Sequence, residues 1–469
     1  MKNILIIAYY FPPVAASGAM RPLSFCRYLE SCGWLPRVLT TDPASVHPPH
    51  PVDRQLMAKL PSTVKVETVP HGNPLRRLVA WRDRLRTAMS SKKDGQPEAS
   101  RVQESNGKSP AESGWLGTLK DVVLDRLFAF PDPQCAWLKP AAAVAKGWPQ
   151  SEIPDIVWAT GGPWTSHLVG QHLAQYWGIP YVVDYRDPWT SNPYISFSSS
   201  YLNGSARRLE RSICQGASRV MTNTHELRVQ LEQDYPGLAG KTLTITNGFD
   251  PDSFAVGSAG TGTAGRSLGE RARGSRLELC HFGTVYGKRT PAVLFQTLAY
   301  LHREGRLSGE RLRLRFIGAW EVAEPQCEDL AQRLEKVGLL TREPPVPYQE
   351  CLQQMREADA LLVIQPDSPL QIPGKIYEYL ATRRPLLLVG GEGATANLVQ
   401  RHRLGLACRN DRDEIRRVIT DLLEGRQALS PPPQEEIDRF NYRSLTADLA
   451  RVLDDVWNEH RDGHRRNAG

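Results

Sequence analysis

No apolar run in this 469-residue chain approaches the roughly 18 residues that a membrane-crossing helix needs, so no segment is read as a span. No Cys-x-x-Cys pair occurs among the eight cysteines (Cys26, Cys32, Cys135, Cys214, Cys280, Cys327, Cys351, Cys408). Zinc and disulfide frameworks are thereby disfavoured, and a reducing cytoplasm becomes the expected setting. The nearest approach to an Asp-x-Asp metal pair is Asp411-Arg412-Asp413. It stands directly before a helical pattern, where a carboxylate reads better as a cap, so no required metal is expected. No internal repeat is found. Neither charge sign dominates: 58 Lys and Arg face 51 Asp and Glu, a net +7. That balance permits nucleotide substrates or anionic membrane surfaces and does not call for nucleic acid.

What is present is alternation. The opening MKNILIIAYYFPP has a short apolar stretch closed by Pro12-Pro13, and reads as a buried first strand rather than a signal peptide. Further strands are expected at 36–40, 156–159, 181–184, 219–222, 243–246, 277–282, 312–317, 360–364 and 385–389. Helices are expected at 22–31, 166–177, 206–215, 291–303, 327–337, 348–357, 374–381, 394–400 and 413–423. A last helix is expected over 440–458. Two polar stretches interrupt them. Residues 88–114 are rich in Ser, Lys, Gly and Pro and read as a flexible insert, and Gly-rich 256–275 reads as a linker with no strand to make it a nucleotide fingerprint. Strand–helix alternation on both sides of a linker predicts an α/β chain of two doubly wound, Rossmann-like domains. The expected boundaries are 1–254, a linker at 255–275, a second domain at 276–430, and a C-terminal helical part at 431–469.

The segment QIPGKIYEYLATRRPLLLV, residues 371–389, is the most informative. Pro373 and Gly374 punctuate a loop; Lys375 and Glu378 then share a helix face three residues apart. A cation and a hydroxyl acceptor beside a helix N-terminus suit a nucleoside diphosphate, with Lys375 at the phosphates and Glu378 at the ribose. An ordinary i,i+3 surface ion pair is the plainer reading. With its neighbours, this segment resembles the retaining glycosyltransferases of GT-B fold, family 4-like, which carry a similar Lys-x-x-Glu-Tyr stretch. The resemblance runs through nearly the whole chain in matching order. It implies two Rossmann-like domains facing a central cleft, the first on the acceptor side and the second binding the nucleotide sugar. In similar enzymes a terminal helix crosses back to the first domain.

The same resemblance assigns the other segments. In FPPVAASGAMRP, Gly18 would approach the donor diphosphate, with Arg21 adding charge. In LELCHFGTVYGKRTP, Gly283 and Thr284 would offer backbone donors and Lys288 and Arg289 cations. Gly318, Val346 and Tyr348 would lie on the nucleobase side. Gln371, Ile372, Pro373 and Gly374 would lie beside the donor sugar. The turn ATGGPWTSHLVG resembles the acceptor-side turn; its helix is expected to be capped by Thr165 or Ser166, and His167 reads as a helix-face residue. IPYVVDYRDPWTSNPY resembles a sugar-transferase stretch and places Asp184, Arg186 and Asp187 at a strand's carboxyl end as catalytic candidates. Two positions depart from the pattern. Arg186 stands where many relatives have His, and Arg is no general base at neutral pH. Leu370 stands where relatives have the first of two glutamates.

The implied activity is transfer of a sugar from a nucleotide-diphosphate-sugar to a glycan or lipid-linked acceptor, in surface polysaccharide or glycolipid synthesis. No further cofactor is expected. A catalytically idle nucleotide-sugar or glycan-binding relative, or a nucleotide-sugar epimerase, remain alternatives. Residues 74–86 place Arg76, Arg77, Arg82, Arg84 and Arg86 among Leu75, Leu78, Val79, Trp81 and Leu85. This is either a surface helix or a basic amphipathic helix lying on an anionic membrane at the inner face of the cell membrane.

Overall fold

The structure is a computed structural model that describes residues 1–72, 130–255 and 276–467, except Ser196, Lys288 and Ala323. The flexible-insert reading at 88–114, the linker reading and the basic segment at 74–86 lie outside these residues. The chain divides into two compact units, Met1–Val220 with Leu453–Gly469, and Met221–Val452.

The apolar runs become strands. β1 (Lys2–Ala8), β2 (Trp34–Thr41), β3 (Lys65–Val69), β4 (Ile156–Gly161), β5 (Tyr181–Tyr185), β6 (Arg219–Thr222) and β7 (Thr242–Thr244) form a seven-stranded sheet in the order β3-β2-β1-β4-β5-β6-β7. β1 pairs in parallel with both β2 and β4, with Ile4 opposite Pro36 on one side and Ile156 on the other. The second unit holds β8 (Leu277–Phe282), β9 (Val285–Tyr286), β10 (Leu312–Ile317), β11 (Trp320–Glu321), β12 (Leu340–Glu343), β13 (Ala360–Gln365), β14 (Leu386–Gly390) and β15 (Gly405–Arg409). Its six-stranded sheet runs β12-β10-β8-β13-β14-β15, all neighbours parallel, and β9 and β11 form a separate small ribbon. Both sheets are therefore wound outward in two directions from a central pair, β1/β4 and β8/β13.

Parallel strands covered on both faces must be apolar on both faces. Ile4, Leu5, Ile6 and Ile7 are all fully buried, as are Ala360, Leu361 and Leu362. In the second sheet successive residues feed opposite layers. Leu279, Leu314 and Leu362 pack with Phe295, Leu298 and Ile415 on one face; Cys280, Leu361 and Val363 pack with Ile376, Tyr377 and Tyr379 on the other.

The helices start where donors find acceptors. Ser199 accepts from Leu202 N at the head of helix Ser200–Gly216, and Thr224 from Leu227 N at the head of His225–Asp234. Asp411 caps Arg412–Leu423 by accepting from Asp413 N and Glu414 N, both at 3.0 Å, so the Asp411-Arg412-Asp413 run is a cap. The first helix begins earlier than Pro22, at Ser17, and carries that proline inside it. Among the described residues no helix is long and apolar enough to cross a membrane.

Candidate functional site

In doubly wound sheets ligands bind beyond the carboxyl ends of the strands, where the winding reverses. For the first unit this directs attention to the residues after β1, β4 and β5. Asp184, the fourth residue of β5, is fully buried, and Arg21 from the first helix is 2% exposed. Arg21 Nε donates to Asp184 Oδ2 at 3.0 Å and Nη2 to Oδ1 at 2.8 Å; Thr160 Oγ1 of β4 adds a third bond at 2.7 Å. Arg21 therefore does not stand at a phosphate. Its guanidinium is committed to a two-pronged buried ion pair that ties the first helix to β4 and β5. Asp184, engaged on both oxygens, is a positioning group.

Arg186 lies two residues on. Its Nε donates to the Gly161 carbonyl at 2.7 Å, and its Nη2 to the Gly162 carbonyl. A Cβ added to Gly18 would fall 2.9 Å from Arg186 Nη2 and 3.0 Å from Cζ. The space beside Gly18 is thus held by a guanidinium. Burial pulls the Arg186 pKa down, and the carboxylates of Asp187 and Asp184 oppose it, so the group stays charged. Asp187 is exposed, the outermost carboxylate of this strand end.

The helix Thr165–Trp177 corrects the expected cap. Neither Thr165 nor Ser166 caps it by its own side chain. The acceptor is Asp132, which receives Thr165 N at 2.8 Å, Thr165 Oγ1 at 2.7 Å and Gln134 N at 3.0 Å. Burial raises the Asp132 pKa and these bonds restrain the rise. His167 is buried in this helix rather than displayed on it. Nε2 lies 3.1 Å from the Asp184 carbonyl, its ring centroid is 4.7 Å from that of Tyr185, and burial lowers its pKa to about 4. It is neutral at pH 7. Sequence reasoning missed Asp132 and the Arg21–Asp184 pair, because each acts on a residue far along the chain.

In the second unit the corresponding place is the end of β8. Gly283 adopts φ +125°, open to glycine and strained for other residues. A Cβ there would lie 2.9 Å from Lys375 Nζ and 3.0 Å from Cε. The Lys375 side chain therefore lies across Gly283, although 92 residues separate the two in sequence. The i,i+3 ion pair that the spacing allowed is not made: among the described residues Lys375 has no carboxylate partner. Gly318 (φ +146°) closes the other side, where a Cβ would meet the Gly283 carbonyl carbon at 2.6 Å. Gly283 N donates to the Ile317 carbonyl at 2.8 Å.

His281, a polar residue inside an apolar strand, sits beneath. Its Nδ1 is 3.0 Å from the Leu362 carbonyl, and its pKa falls to about 4, through burial first and then the charges of Lys375 and Arg289. That odd residue in LELCHF was the available signal for it. Glu378 is half-buried. Burial and then the Glu378 carboxylate push the Tyr348 phenol up; burial raises the Cys351 thiol, which Lys375 draws back down and Glu378 pushes up. Lys375, Glu378, Tyr348 and Cys351 therefore share one neighbourhood.

The remaining expected residues divide. Thr284 is exposed, and Arg289 Nη1 donates to the Tyr286 hydroxyl at 3.1 Å. Lys288 lies outside the described residues. Val346 packs on the core and Tyr348 is 45% exposed. Gln371 and Ile372 are buried, while Pro373 is half-buried and Gly374 exposed. The Leu370 carbonyl is taken by Thr224 Oγ1 at 2.8 Å and the Gln371 carbonyl by Thr395 Oγ1 at 3.0 Å. Those two backbone acceptors serve the fold. Among the described residues no group of three His, Cys, Asp or Glu side chains is placed to hold a metal ion.

Residues 19–248, just under half of the chain, match the family described as a Glycosyl transferase 4-like domain. No curated protein matches the chain in sequence. Among solved structures it is similar to a glycosyltransferase from Rickettsia africae ESF-5, at 12% identity and a TM-score of 0.54, over 98% of each chain. It is also similar to the N-terminal domain of Candida albicans trehalose-6-phosphate phosphatase, at 14% identity and a TM-score of 0.58, over 98% of this chain and 97% of that one. A third is the lipopolysaccharide outer core galactosyltransferase WaaB in its apo form, at 12% identity and a TM-score of 0.54, over 97% and 99%. At such identities the likeness establishes the fold: two parallel α/β sheets as in GT-B glycosyltransferases.

Proposed function

We propose that this chain, whose residues 19–248 match a glycosyl transferase 4-like domain, moves a sugar from a nucleotide-diphosphate-sugar donor to a glycan or lipid-linked acceptor. The observation that carries the reading is the Lys375 ammonium. It lies across Gly283 at the carboxyl end of β8, and among the described residues has no carboxylate to neutralise it. A cation kept beside a glycine backbone at a switch point suits a diphosphate. In this reading the second unit binds the donor, with Gly283, Thr284, Lys288, Arg289 and Lys375 at the diphosphate, Glu378 at the ribose, and Gly318, Val346 and Tyr348 toward the base. Gln371, Ile372, Pro373 and Gly374 border the sugar.

The first unit holds the acceptor. Asp184 orders the strand end through Arg21 and Thr160, Arg186 presents charge beside Gly18, and Asp187 is the carboxylate offered to the acceptor hydroxyl. Charge developing on the departing diphosphate is met by Lys375 and its basic neighbours, with no metal or further cofactor. In this reading the anomeric configuration is retained and the donor phosphate takes the acceptor proton, with Asp187 orienting the hydroxyl. The setting is surface polysaccharide or glycolipid synthesis in the cytoplasm, with the Arg76–Arg86 segment resting on the inner face of the membrane.

A thermal-shift screen of UDP-, GDP-, ADP- and CMP-sugars tests the donor site. One class should stabilise the parent. Lys375→Ala and Glu378→Ala should each weaken that class about tenfold or more, the worth of one charge-assisted bond. Unchanged affinity in both variants removes the second-unit site. A second reading, donor binding without turnover, draws on the full engagement of Asp184. Nucleoside diphosphate release in the presence of acceptor excludes it.

A further inference from the structure

We infer that the surface formed by Tyr194, Ile195, Tyr201, Arg207, Arg208 and Arg211 in the first unit docks on an anionic lipid bilayer. The loop after β5 turns apolar groups outward: Tyr194 is 43% exposed and Ile195 37%. The helix Ser200–Gly216 follows at once. Its inner face is settled by Leu202, Ala206 and Ile213, all buried. Its only acid, Glu210, is 1% exposed and accepts from Thr190 Oγ1. Everything charged on the outer face is then of one sign.

Tyr201 is 53% exposed, and Arg207, Arg208 and Arg211 are all exposed. Tyr201, Arg208 and Arg211 are spaced by seven and three residues, which puts them on one stripe about 15 Å long. The loop thus offers an apolar and aromatic pair, and the helix a row of cations. Tyrosine and isoleucine suit the interfacial zone of a bilayer, where the phenol keeps its hydroxyl in water and the aliphatic group leaves it. Arginines on long stems reach lipid phosphates without a fixed register. Each such arginine strengthens attachment to an anionic surface about fivefold.

This surface is separate from residues 74–86, and its docking does not depend on the donor reading. It begins seven residues beyond Asp187 in the chain.

Flotation with phosphatidylcholine vesicles, with and without phosphatidylglycerol, tests the inference. The parent should partition onto the anionic vesicles at least tenfold more strongly than onto the neutral ones, and less so at high salt. Arg208→Glu with Arg211→Glu should lower that partition about twenty-five-fold or more, from two arginines at fivefold each. The loss should persist when Arg76→Glu and Arg77→Glu are already present. Ile195→Ser should weaken binding and Ile195→Trp should strengthen it, a gain that misfolding does not produce. All variants should keep the parent's donor affinity. Equal partition of parent and double-arginine variant overturns the inference. So does a parent that ignores both vesicle types, the result expected if this surface serves an acidic protein instead.

Discussion

Replacing Asp184 by Asn removes one charge and keeps the shape. Asp184 is fully buried and takes three bonds, two from Arg21 and one from Thr160, at 3.0, 2.8 and 2.7 Å. The amide retains one acceptor and turns an N–H₂ toward a guanidinium that has no water to retreat to. Breaking a buried pair from one side costs about 3–5 kcal/mol, because the surviving charge stays buried. Here the upper part of that range is expected. Arg186 already feels the opposing charge of Arg21, and Asp184 is one of the carboxylates that balance it. Without Asp184 the charge of Arg21 acts on Arg186 with Asp187 left as the opposing carboxylate.

Urea unfolding followed by far-ultraviolet circular dichroism reads the cost. In a thermal melt about 2–4 °C is lost per kcal/mol for a unit of this size, so about 4–5 kcal/mol should lower the midpoint by roughly 8–20 °C. The informative companion is Arg21→Met with Asp184→Leu. That pair removes both charges together and takes an acceptor from Thr160, so it should cost less than Asp184→Asn alone. The reasoning is refuted if Asp184→Asn unfolds within 1 kcal/mol of the parent, or if the double variant is as unstable as the sum of its singles.

Two further outcomes follow from the same structure. His167 has a folded pKa of about 4 through burial, against about 6.5 unfolded. The unfolded chain takes the proton first, so this histidine's contribution is complete above about pH 6.5 and is lost as pH falls toward 4, to the extent of about 3 kcal/mol. His167→Gln should flatten the fall in urea midpoint across that window relative to the parent; parallel curves would sink the argument. Gly318→Ala should destabilise by about 2–5 kcal/mol, since φ is +146° and the new Cβ meets the Gly283 backbone rather than a movable side chain. Gly374→Ala, in open space at φ −56°, should be neutral or slightly stabilising. Similar unfolding midpoints for the two alanine variants would remove the close approach of Gly318 to Gly283.

The central strands were legible because they are covered on both faces and written as apolar runs; β8 and β10 have the expected bounds. The outer strands β3, β12 and β15 were not. KVETV, LTRE and GLACR lie at or near sheet edges with half-exposed residues, and their pattern is too polar to separate from loop. Helices Leu138–Lys146 and His225–Asp234 were also missed. The first helix, expected over 22–31, runs Ser17–Tyr28 and accommodates inside it a proline that would suit a first turn. At the candidate site, Lys375 against Gly283 followed from motif order. Arg21 with Asp184 could not, since 163 residues separate partners that no local period relates. The cap on Thr165–Trp177 failed likewise: local rules look for the acceptor next door, and Asp132 supplies it from 33 residues upstream.

The last helix, Tyr442–Asn467, reaches the strands that open the chain. Lys2 pairs with Asp454, Trp34 Nε1 donates to the same carboxylate at 2.9 Å, and Arg219 pairs with Glu459 at 2.5 Å. On a ribosome these partners arrive hundreds of residues apart in time. The first unit can collapse around β1 and β4 while translation continues. Its cation at Lys2 and its indole at Trp34 nevertheless wait for their acceptor until Asp454 has been made. A stalled or shortened product would carry a nearly finished first unit with that flank still wet, and a quality-control protease would meet it there first.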